Sequence, residues 1–523
     1  MDRVSKIVEL MPSKKTMREF LYHTRDRFGD YAVIKEIKNN QIEDISFSKL
    51  LEDSEKLGCK LLEMGMHRAN AVLLGPACYS WLVAFFGIMN FGNRVVPMDY
   101  NLADSDMGAI IEKADAAIIF YDKTCERQVE ELRQKKNAPI HTVCLQRLEE
   151  FTQTTALVDL HKTVPDEDDI AMITFTSGTT GANKGVMLSH RNLFDNVICS
   201  VSIFGHDFIK AGDTTVCILP LYHMLGVTTT IFFPLFYGCS LCLLGEERDM
   251  PKAFSMYQPA FLVMVPMIAN GLIKYAARKA ASPKEGALEQ MLHDLFGDNI
   301  RFIVCGGAAL EESTIHAYTQ AGIKLLNGYG ITECSPVVAC NPYEKPKTGS
   351  VGKPVPKPYC EVKIKNGEIY IRGSIVTKGY YNDPESTKAL FEQDFLKTGD
   401  LGYLDEEGYL YISGRKKDVI ILSNGVNVSP QEIEKHFVTS PLIENILVDV
   451  RTDNHRESLI AYIYPTEKAR KEKNIAKQLN SLTGSVNKKL PRYMQIQQIQ
   501  LVDRPFEVTA LGKVKRYKYK TQY

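Results

Sequence analysis

Between Ala71 and Asp122, apolar runs of strand length alternate with amphipathic stretches of helix length. This alternation restricts the fold more than any other feature of the chain, because strands separated by helix-length segments are typical of a parallel sheet with crossover helices. From Tyr359 to Gly414 the pattern changes to short alternating segments separated by Gly, Asn and Asp. That second pattern predicts an antiparallel sheet.

The character of the sequence changes again after the basic run that begins at Arg415. We therefore place a domain boundary there and predict a large amino-terminal domain over residues 1–416 and a small carboxyl-terminal domain over residues 417–523. These patterns by themselves predict the fold class α/β, with an antiparallel sheet region near the end of the large domain.

The run from Thr214 to Gly245 contains no Asp, Glu, Lys or Arg and is long enough to span a bilayer. Pro220, Pro234 and Gly238 divide it into pieces shorter than a membrane helix. We expect these pieces to lie in the core of a globular domain. Residues of the same kind can also line a pocket for an apolar ligand.

The 63 Lys and Arg residues balance 63 Asp and Glu residues, so no overall positive field exists to attract nucleic acid. From Asp418 onward, however, 17 basic residues face 11 acidic ones, which makes the small domain basic and the large domain acidic. The amino terminus lacks the apolar core of a secretory signal, and twelve scattered cysteines fit reduced thiols in the cytoplasm. Cys239 and Cys242 form a lone CxxC, which we interpret as two structural thiols.

A loop rich in glycine and hydroxyl residues follows the apolar run at residues 171–175. Its residues are Thr176, Ser177, Gly178, Thr179, Thr180, Gly181 and Lys184. Glycines let backbone N–H groups approach an anion, hydroxyls add donors and the lysine adds charge, so the composition predicts phosphate binding. It is not a Walker loop, because Asn183 stands where a glycine should precede the lysine.

This loop resembles the phosphate loop of the adenylate-forming superfamily, which includes acyl-CoA synthetases, aryl-CoA ligases and the adenylation domains of peptide synthetases. Asn183 replaces the proline usually found before the lysine. The resemblance continues in order to the carboxyl terminus and covers nearly the whole chain. It implies binding of ATP and Mg²⁺. It also implies an α/β fold with stacked α/β sheets and a β-sheet subdomain in the large amino-terminal domain, and a small, mobile α+β lid as the carboxyl-terminal domain.

The segment Asn327-Gly328-Tyr329-Gly330-Ile331-Thr332-Glu333 resembles the family's aromatic-glycine-x-Thr-Glu signature. The resemblance implies that Tyr329 packs on adenine, that Thr332 contacts the α-phosphate region and that Glu333 helps to hold Mg²⁺. A carboxylate beside a triphosphate needs such a cation between them. Upstream, Gly307 and Ala308 belong to a small-residue segment that resembles the lining of the other adenine face.

The Thr398-Gly399-Asp400 turn resembles the ribose-binding signature, with Asp400 as acceptor and Arg415 as its partner. Lys417 occupies the position about which the small domain rotates in the family, which implies a mobile lid. The segment Ser423-Asn424-Gly425 resembles the stretch that reaches the thiol entry path after this rotation.

Lys513, within residues 509–516, resembles the family's catalytic lysine, which stabilises charge on the reacting carboxylate and α-phosphate. Without the other motifs, the same residues would indicate only a solvated basic tail. With them, the implied catalytic set comprises Lys513, Lys184, Glu333 and His223.

The implied reaction has two steps: ATP converts a carboxylic acid to an acyl-adenylate with release of pyrophosphate, and a thiol then displaces AMP. In the peptide-synthetase relatives, an acidic residue in the apolar region after the phosphate loop pairs with the ammonium of the amino acid. The corresponding residues 219–226 contain no acidic side chain, so the resemblance disfavours amino acids as substrates. His223 matches the aromatic residue or histidine that lies near the substrate carboxylate in acyl- and aryl-CoA ligases, although it could also be a core histidine.

Gly-Tyr-Tyr-Asn-Asp-Pro-Glu from Gly379 resembles ligases of the fatty-acid type. We therefore expect a medium- or long-chain fatty acid, with an aryl acid as the alternative. Coenzyme A is the expected thiol, and a discrete acyl carrier protein is the alternative. Transient contact with a membrane is compatible with an apolar substrate, and a binding protein that keeps the fold without the chemistry is the alternative from another class.

Overall fold

The computed structural model describes residues 3–38, 40–135, 140–153, 163–177, 183–244, 249–280, 286–308, 310–422, 427–437, 440–453, 456–509 and 514–519. These residues form a large amino-terminal α/β domain and a smaller carboxyl-terminal domain, as the sequence predicted.

Seven described strands form the first sheet of the large domain. One of its inner strands, Asn70–Leu74, is fully buried and pairs in parallel with strands on both sides, so the predicted parallel sheet with crossover helices is confirmed. The strands, in spatial order, are Gly379–Tyr380, Asn183–Ser189, Ile170–Ser177, Arg94–Met98, Asn70–Leu74, Ala116–Tyr121 and His141–Cys144. The connecting helices are Tyr79–Met89, Asp104–Lys113 and Glu126–Lys135.

A second sheet carries the other half of the candidate site. Three of its strands are parallel, and the last two turn antiparallel. In order they are Phe261–Met264, Phe302–Cys305, Lys324–Gly330, Val337–Cys340 and Lys353–Pro354. The helices Met250–Tyr257, Pro266–Lys279, Ala287–Phe296 and Glu312–Gln320 contribute to its apolar core.

Over its described residues, 214–244, the uncharged run lies in the interior, as predicted, and every residue from Gly226 to Leu243 is buried. It forms the strands Thr214–Val216 and Ser240–Leu243, the short helices Met224–Gly226 and Phe233–Tyr237, and the π-helical turn Val227–Phe232. Those strands join Gln41–Ser46 and Ala32–Lys38 in a four-stranded sheet. Of the described helices, none is long and apolar enough to cross a membrane.

Long helices pack around this interior and complete the main core. They are Arg3–Glu9, Met17–Phe28, Phe47–Glu63 and His190–Phe204. Short helical turns lie at Lys123–Cys125, Leu145–Arg147, Leu148–Phe151 and Thr332–Cys334. Cys239 and Cys242 are both buried, in agreement with a structural role.

The predicted antiparallel sheet is also present. Its strands are Glu361–Lys365, Glu368–Arg372, Phe391–Glu392, Phe395–Leu404 and Leu410–Arg415, and the helix Pro384–Leu390 precedes the third of them.

The carboxyl-terminal domain has its own apolar core around a three-stranded sheet of Ile443–Asp453, Arg456–Pro465 and Gln498–Leu501. Its remaining elements are the paired strands Ile420–Ile421 and Asn427–Val428, the helices Pro430–Glu434, Glu467–Arg470 and Ile475–Asn487, and the turns Arg492–Met494 and Arg516–Lys518.

Candidate active site

The predicted phosphate loop connects two antiparallel strands. Thr176 lies opposite Lys184, and Ser177 lies opposite Asn183, so the loop returns directly into a strand. A Walker loop would instead lead into a helix. Gly178, Thr179, Thr180 and Gly181 lie outside the described residues. The hairpin therefore places the lysine beside the strand end from which the loop departs.

Lys184 and Glu333 both contact the side chain of Tyr380. The Lys184 Nζ atom lies 4.8 Å from the centroid of the Tyr380 ring, and the Tyr380 hydroxyl donates a 2.9 Å hydrogen bond to Glu333 Oε1. Burial, reinforced by Glu333, raises the pKa of Tyr380, so its hydroxyl stays protonated and remains a donor. These three side chains, Lys184, Tyr380 and Glu333, are the phosphate-side cluster.

A second cluster, the ribose-side cluster, is formed by Tyr329, Asp400 and Arg415. Asp400 and Arg415 lie opposite each other on paired strands, and Arg415 Nε is 2.9 Å from Asp400 Oδ1. The Tyr329 hydroxyl donates to the other carboxylate oxygen at 2.7 Å. The Asp400 side chain is only 5% exposed, and its charge raises the pKa of Arg415. Arg415 therefore keeps its positive charge at neutral pH.

The two clusters are joined through the segment from Tyr329 to Glu333, which supplies one residue to each. Thr332 lies between them, in the turn Thr332–Cys334. Gly330 permits the bend in this segment, because a side chain there would collide with the carbonyl oxygen of Pro336. The sequence motif thus occupies one short stretch that reaches both clusters.

The predicted adenine-lining residues lie at the carboxyl ends of two adjacent parallel strands. Cys305 pairs with Asn327, and a Cβ atom built on Gly306 would be 3.5 Å from the Gly328 carbonyl oxygen, so Gly307 and Ala308 follow directly from this strand edge. Asn327 is buried, and its amide donates to the Ser350 carbonyl at 3.1 Å, which anchors the strand end. Ligands of open α/β sheets bind at this kind of strand edge.

His223 lies immediately before the helix Met224–Gly226, near the adenine-lining residues. Its ring packs 5.0 Å from that of Tyr222, and burial lowers its pKa although Asp99 opposes the shift. A Cβ atom built on Gly306 would be 3.8 Å from Leu225. Leu225 also packs on a small apolar cluster beside this position, whose other members are Ile218, Leu219, Val263, Val265, Ile268 and Val304.

Lys417, the predicted hinge, lies in a turn between strands Leu410–Arg415 and Ile420–Ile421. The backbone N–H of Asp418 closes this turn on the Arg415 carbonyl at 3.0 Å. Ser423, Asn424, Gly425 and Lys513 lie outside the described residues. The segment that contains Lys513 is flanked by a bridge between Val508 and Val514.

Three residues at the site were missed by the sequence analysis as functional residues. Tyr380 entered the sequence analysis only as part of the segment from Gly379 that resembles ligases of the fatty-acid type. Lys113, at the end of helix Asp104–Lys113, donates at 2.7 Å to the Asn183 carbonyl and so holds the second strand of the hairpin. Glu368 accepts from the Gly399 N–H at 3.2 Å and from Lys416 Nζ at 2.7 Å. The segment around Glu368 shows only strand alternation, which gives no signal of such a contact.

The residues at the phosphate-side cluster fit a bound Mg²⁺. Glu333 is partly exposed, and within the described ranges no group of three or more His, Cys, Asp or Glu side chains could hold a metal by itself. Mg²⁺ is commonly bound through one or two carboxylates together with substrate phosphates and water, so a single carboxylate beside a phosphate loop is an appropriate donor set.

Comparison with known proteins identifies the family of this chain. Residues 21–381 match the AMP-binding enzyme family, and residues 417–523 match the AMP-binding enzyme C-terminal domain. The long-chain-fatty-acid–CoA ligase of Bacillus subtilis is 29% identical over 511 residues, which cover 87% of this chain and 86% of that protein.

Two solved structures share the fold. The anthranilate CoA ligase AuaEII, in complex with anthranoyl-AMP, has a TM-score of 0.84 at 21% identity and covers 100% of this chain and 99% of its own. The o-succinylbenzoate CoA synthetase of Bacillus subtilis, in complex with ATP and magnesium, has a TM-score of 0.79 at 22% identity, covering 96% and 99%. The chain therefore belongs to the AMP-binding enzyme family, the adenylate-forming superfamily that its motifs indicated.

Proposed function

We propose that this acid–thiol ligase uses ATP to convert a medium- or long-chain fatty acid to an acyl-adenylate and then transfers the acyl group to coenzyme A. The observation that carries the proposal is the pair of charged clusters on either end of one five-residue segment, Tyr329 to Glu333. One cluster offers an oriented carboxylate for the ribose hydroxyls. The other offers an ammonium and a carboxylate for the phosphates and Mg²⁺.

In the first step, a carboxylate oxygen of the acid bonds to the α-phosphorus of ATP, and the bond from that phosphorus to pyrophosphate breaks. Lys184 and Lys513 would neutralise charge on the phosphates and the reacting carboxylate. Glu333 would hold Mg²⁺, which supplies further charge neutralisation when bound. In the second step, the thiol sulfur attacks the acyl carbonyl, AMP leaves and the thiol proton passes to solvent or to the departing phosphate.

The choice of a fatty acid has two supports. The cluster around Leu219, Val263 and Val265 is wholly apolar and lies beside Leu225, next to the position of the proposed adenine site. The Bacillus subtilis relative is also named for long-chain fatty acids. An aryl acid is the second candidate, because AuaEII, which shares the fold, holds an aryl adenylate.

An acid-dependent ATP–pyrophosphate exchange assay over fatty, aryl and amino acids tests the proposal. We expect exchange to be fastest with a fatty acid of medium or long chain. Faster exchange with an aryl acid than with every fatty acid would mean that the substrate is an aryl acid and not a fatty acid. No exchange with any acid would favour a binding protein without catalysis. Product analysis with coenzyme A and with acyl carrier protein then identifies the thiol.

A mobile lid forms part of the proposal, with rotation at Lys417 exchanging Lys513 for the segment 423–425 at the site. Lys513→Ala should then lose adenylation while still forming thioester from supplied acyl-adenylate. Equal loss of both half-reactions would contradict the exchange.

The proposal includes the cytoplasmic location that the sequence predicts. The twelve free cysteines support it, because thiols stay reduced in that compartment.

A further inference from the structure

Tyr380 contacts a cation and an anion through two different parts of one side chain. Its ring face meets the Lys184 ammonium at 4.8 Å, and its hydroxyl binds Glu333 Oε1 at 2.9 Å. Among the described residues, Lys184 forms no ion pair with any carboxylate. Tyr380 therefore contacts both charged groups at once, Lys184 through its ring face and Glu333 through its hydroxyl.

The backbone fixes Tyr380 in this position. Tyr380 pairs with Val186, two residues beyond Lys184 on the same strand, and its N–H donates to Thr387 Oγ1 at 2.9 Å. Gly379 has a φ of 122°, and a side chain there would collide with Thr387. Tyr380 is only 8% exposed, so its ring has little freedom to move away from these contacts.

Separation of these two charges matters for a site that receives a triphosphate with Mg²⁺. An ammonium and a carboxylate in a partly desolvated cleft attract each other strongly, and a direct pair would occupy the charges that the ligand needs. A phenol ring satisfies both groups more weakly, through a cation–π contact and one hydrogen bond. Both groups thus stay oriented and available.

We infer that Tyr380 is a positioning residue that keeps Lys184 and Glu333 apart, so that the ammonium is free for the phosphates and the carboxylate is free for the metal. This inference rests on the proposed function, because it assigns a task only if the site takes ATP. It goes beyond that function because it explains how the two charged groups are kept available for the ligand.

Tyr381 provides a matched control. Its hydroxyl donates to Asp115 at 3.1 Å and accepts from Asn70 at 3.0 Å, so it serves a different contact from its neighbour. Tyr381→Phe removes one hydroxyl from the same short segment without touching the phosphate-side cluster. Loss of fold stability in this variant measures the purely structural effect of such a change.

The test measures ATP binding by calorimetry in EDTA and, separately, the Mg²⁺ concentration that half-saturates the enhancement of ATP binding. Tyr380→Phe keeps the ring, so ATP affinity in EDTA should stay within about twofold of wild type, while the half-saturating Mg²⁺ concentration rises about fivefold. Tyr380→Leu removes the ring, so ATP affinity in EDTA should fall about tenfold.

A double variant separates the inference from a packing defect. In Tyr380→Leu/Glu333→Gln, the carboxylate that would capture Lys184 is gone, so ATP affinity in EDTA should recover to within about threefold of the Glu333→Gln single variant. Unchanged ATP binding in Tyr380→Leu, or a loss that Glu333→Gln does not restore, would overturn the inference. Absence of ATP binding in the wild type would instead overturn the proposed function, and the inference with it.

Discussion

The ribose-side and phosphate-side clusters each contain one cation, one carboxylate and one tyrosine, yet they are built differently. On the ribose side, Asp400 and Arg415 are in direct contact at 2.9 Å, and Tyr329 donates to the same carboxylate. On the phosphate side, Lys184 contacts the ring of Tyr380 and Glu333 accepts from its hydroxyl, and among the described residues Lys184 and Glu333 form no ion pair with each other.

The difference follows from what each cluster is proposed to bind. Ribose hydroxyls are neutral donors, so a carboxylate that is already oriented by Arg415 can accept from them without losing its partner. Phosphates and Mg²⁺ carry full charges and need protein charges that are not already paired. Direct pairing therefore suits one cluster, and separation suits the other.

The largest effect is expected from Asp400→Asn. The substitution keeps the shape of the side chain but leaves Arg415 without its counter-charge, so kcat/KM for ATP should fall about 100-fold in pyrophosphate exchange. Glu407→Gln is the control, because Glu407 pairs with Lys347 at 3.1 Å on the surface of the same sheet. Equal values of kcat/KM for ATP in the two variants would contradict the proposed role of Asp400 in the ribose-side cluster.

Lys184→Ala should have the next largest effect. Removal of the ammonium that contacts the Tyr380 ring should weaken ATP binding about 30-fold, measured by calorimetry with Mg²⁺ present. Lys378→Ala, which removes an exposed lysine paired with Asp168 at 2.8 Å, should leave ATP binding within about twofold. A larger loss in the control than in Lys184→Ala would indicate that Lys184 does not serve the ligand.

Tyr329→Phe should have a smaller effect, because it removes one hydrogen bond to Asp400 while Arg415 still orients the carboxylate. A hydrogen bond to a charged group contributes about 1.5–3 kcal/mol, so ATP affinity should fall about tenfold. Tyr409→Phe is the control, since that buried hydroxyl donates at 2.6 Å to the Lys345 carbonyl. Tyr409→Phe should lower thermal stability and leave ATP affinity unchanged. A loss of ATP affinity in Tyr409→Phe but not in Tyr329→Phe would contradict the role of Tyr329 in nucleotide binding.

Ionic strength should have the smallest effect. A basic small domain beside an acidic large one, with a triphosphate between them, should lose about threefold in ATP affinity between 0.05 and 0.5 M salt. Adenosine affinity should change little, because it carries no phosphate. ATP affinity that is independent of salt would mean that the charge difference between the domains is only a property of the solvated surface.

The sequence predicted the ribose-side cluster better than the phosphate-side cluster. Asp400 and Arg415 both belong to motifs, and their direct pairing follows from neighbouring antiparallel strands. Tyr380 lies almost 200 residues from Lys184, on a strand of two residues that hydropathy patterns cannot resolve. The contacts of Tyr380 depend on how the chain returns to the first sheet. The spacing of residues in a local segment cannot predict that return.

The fold shows the same contrast. Periodicity predicted the parallel sheet, the antiparallel sheet and the buried uncharged run, because each buries a repeating set of apolar side chains. It did not predict that the phosphate loop joins two antiparallel strands, nor that Lys113 holds the second of them. Those features depend on single polar contacts between distant segments, and such contacts leave no period in the sequence.

The most direct test of the account compares adenosine and ATP binding to Asp400→Asn and Lys184→Ala, by ligand-observed NMR titration of each enzyme. The account predicts that Asp400→Asn weakens both ligands by the same factor, whereas Lys184→Ala weakens ATP and leaves adenosine within about twofold. If both variants weaken both ligands equally, the two clusters do not divide the nucleotide between them, and the central claim is contradicted.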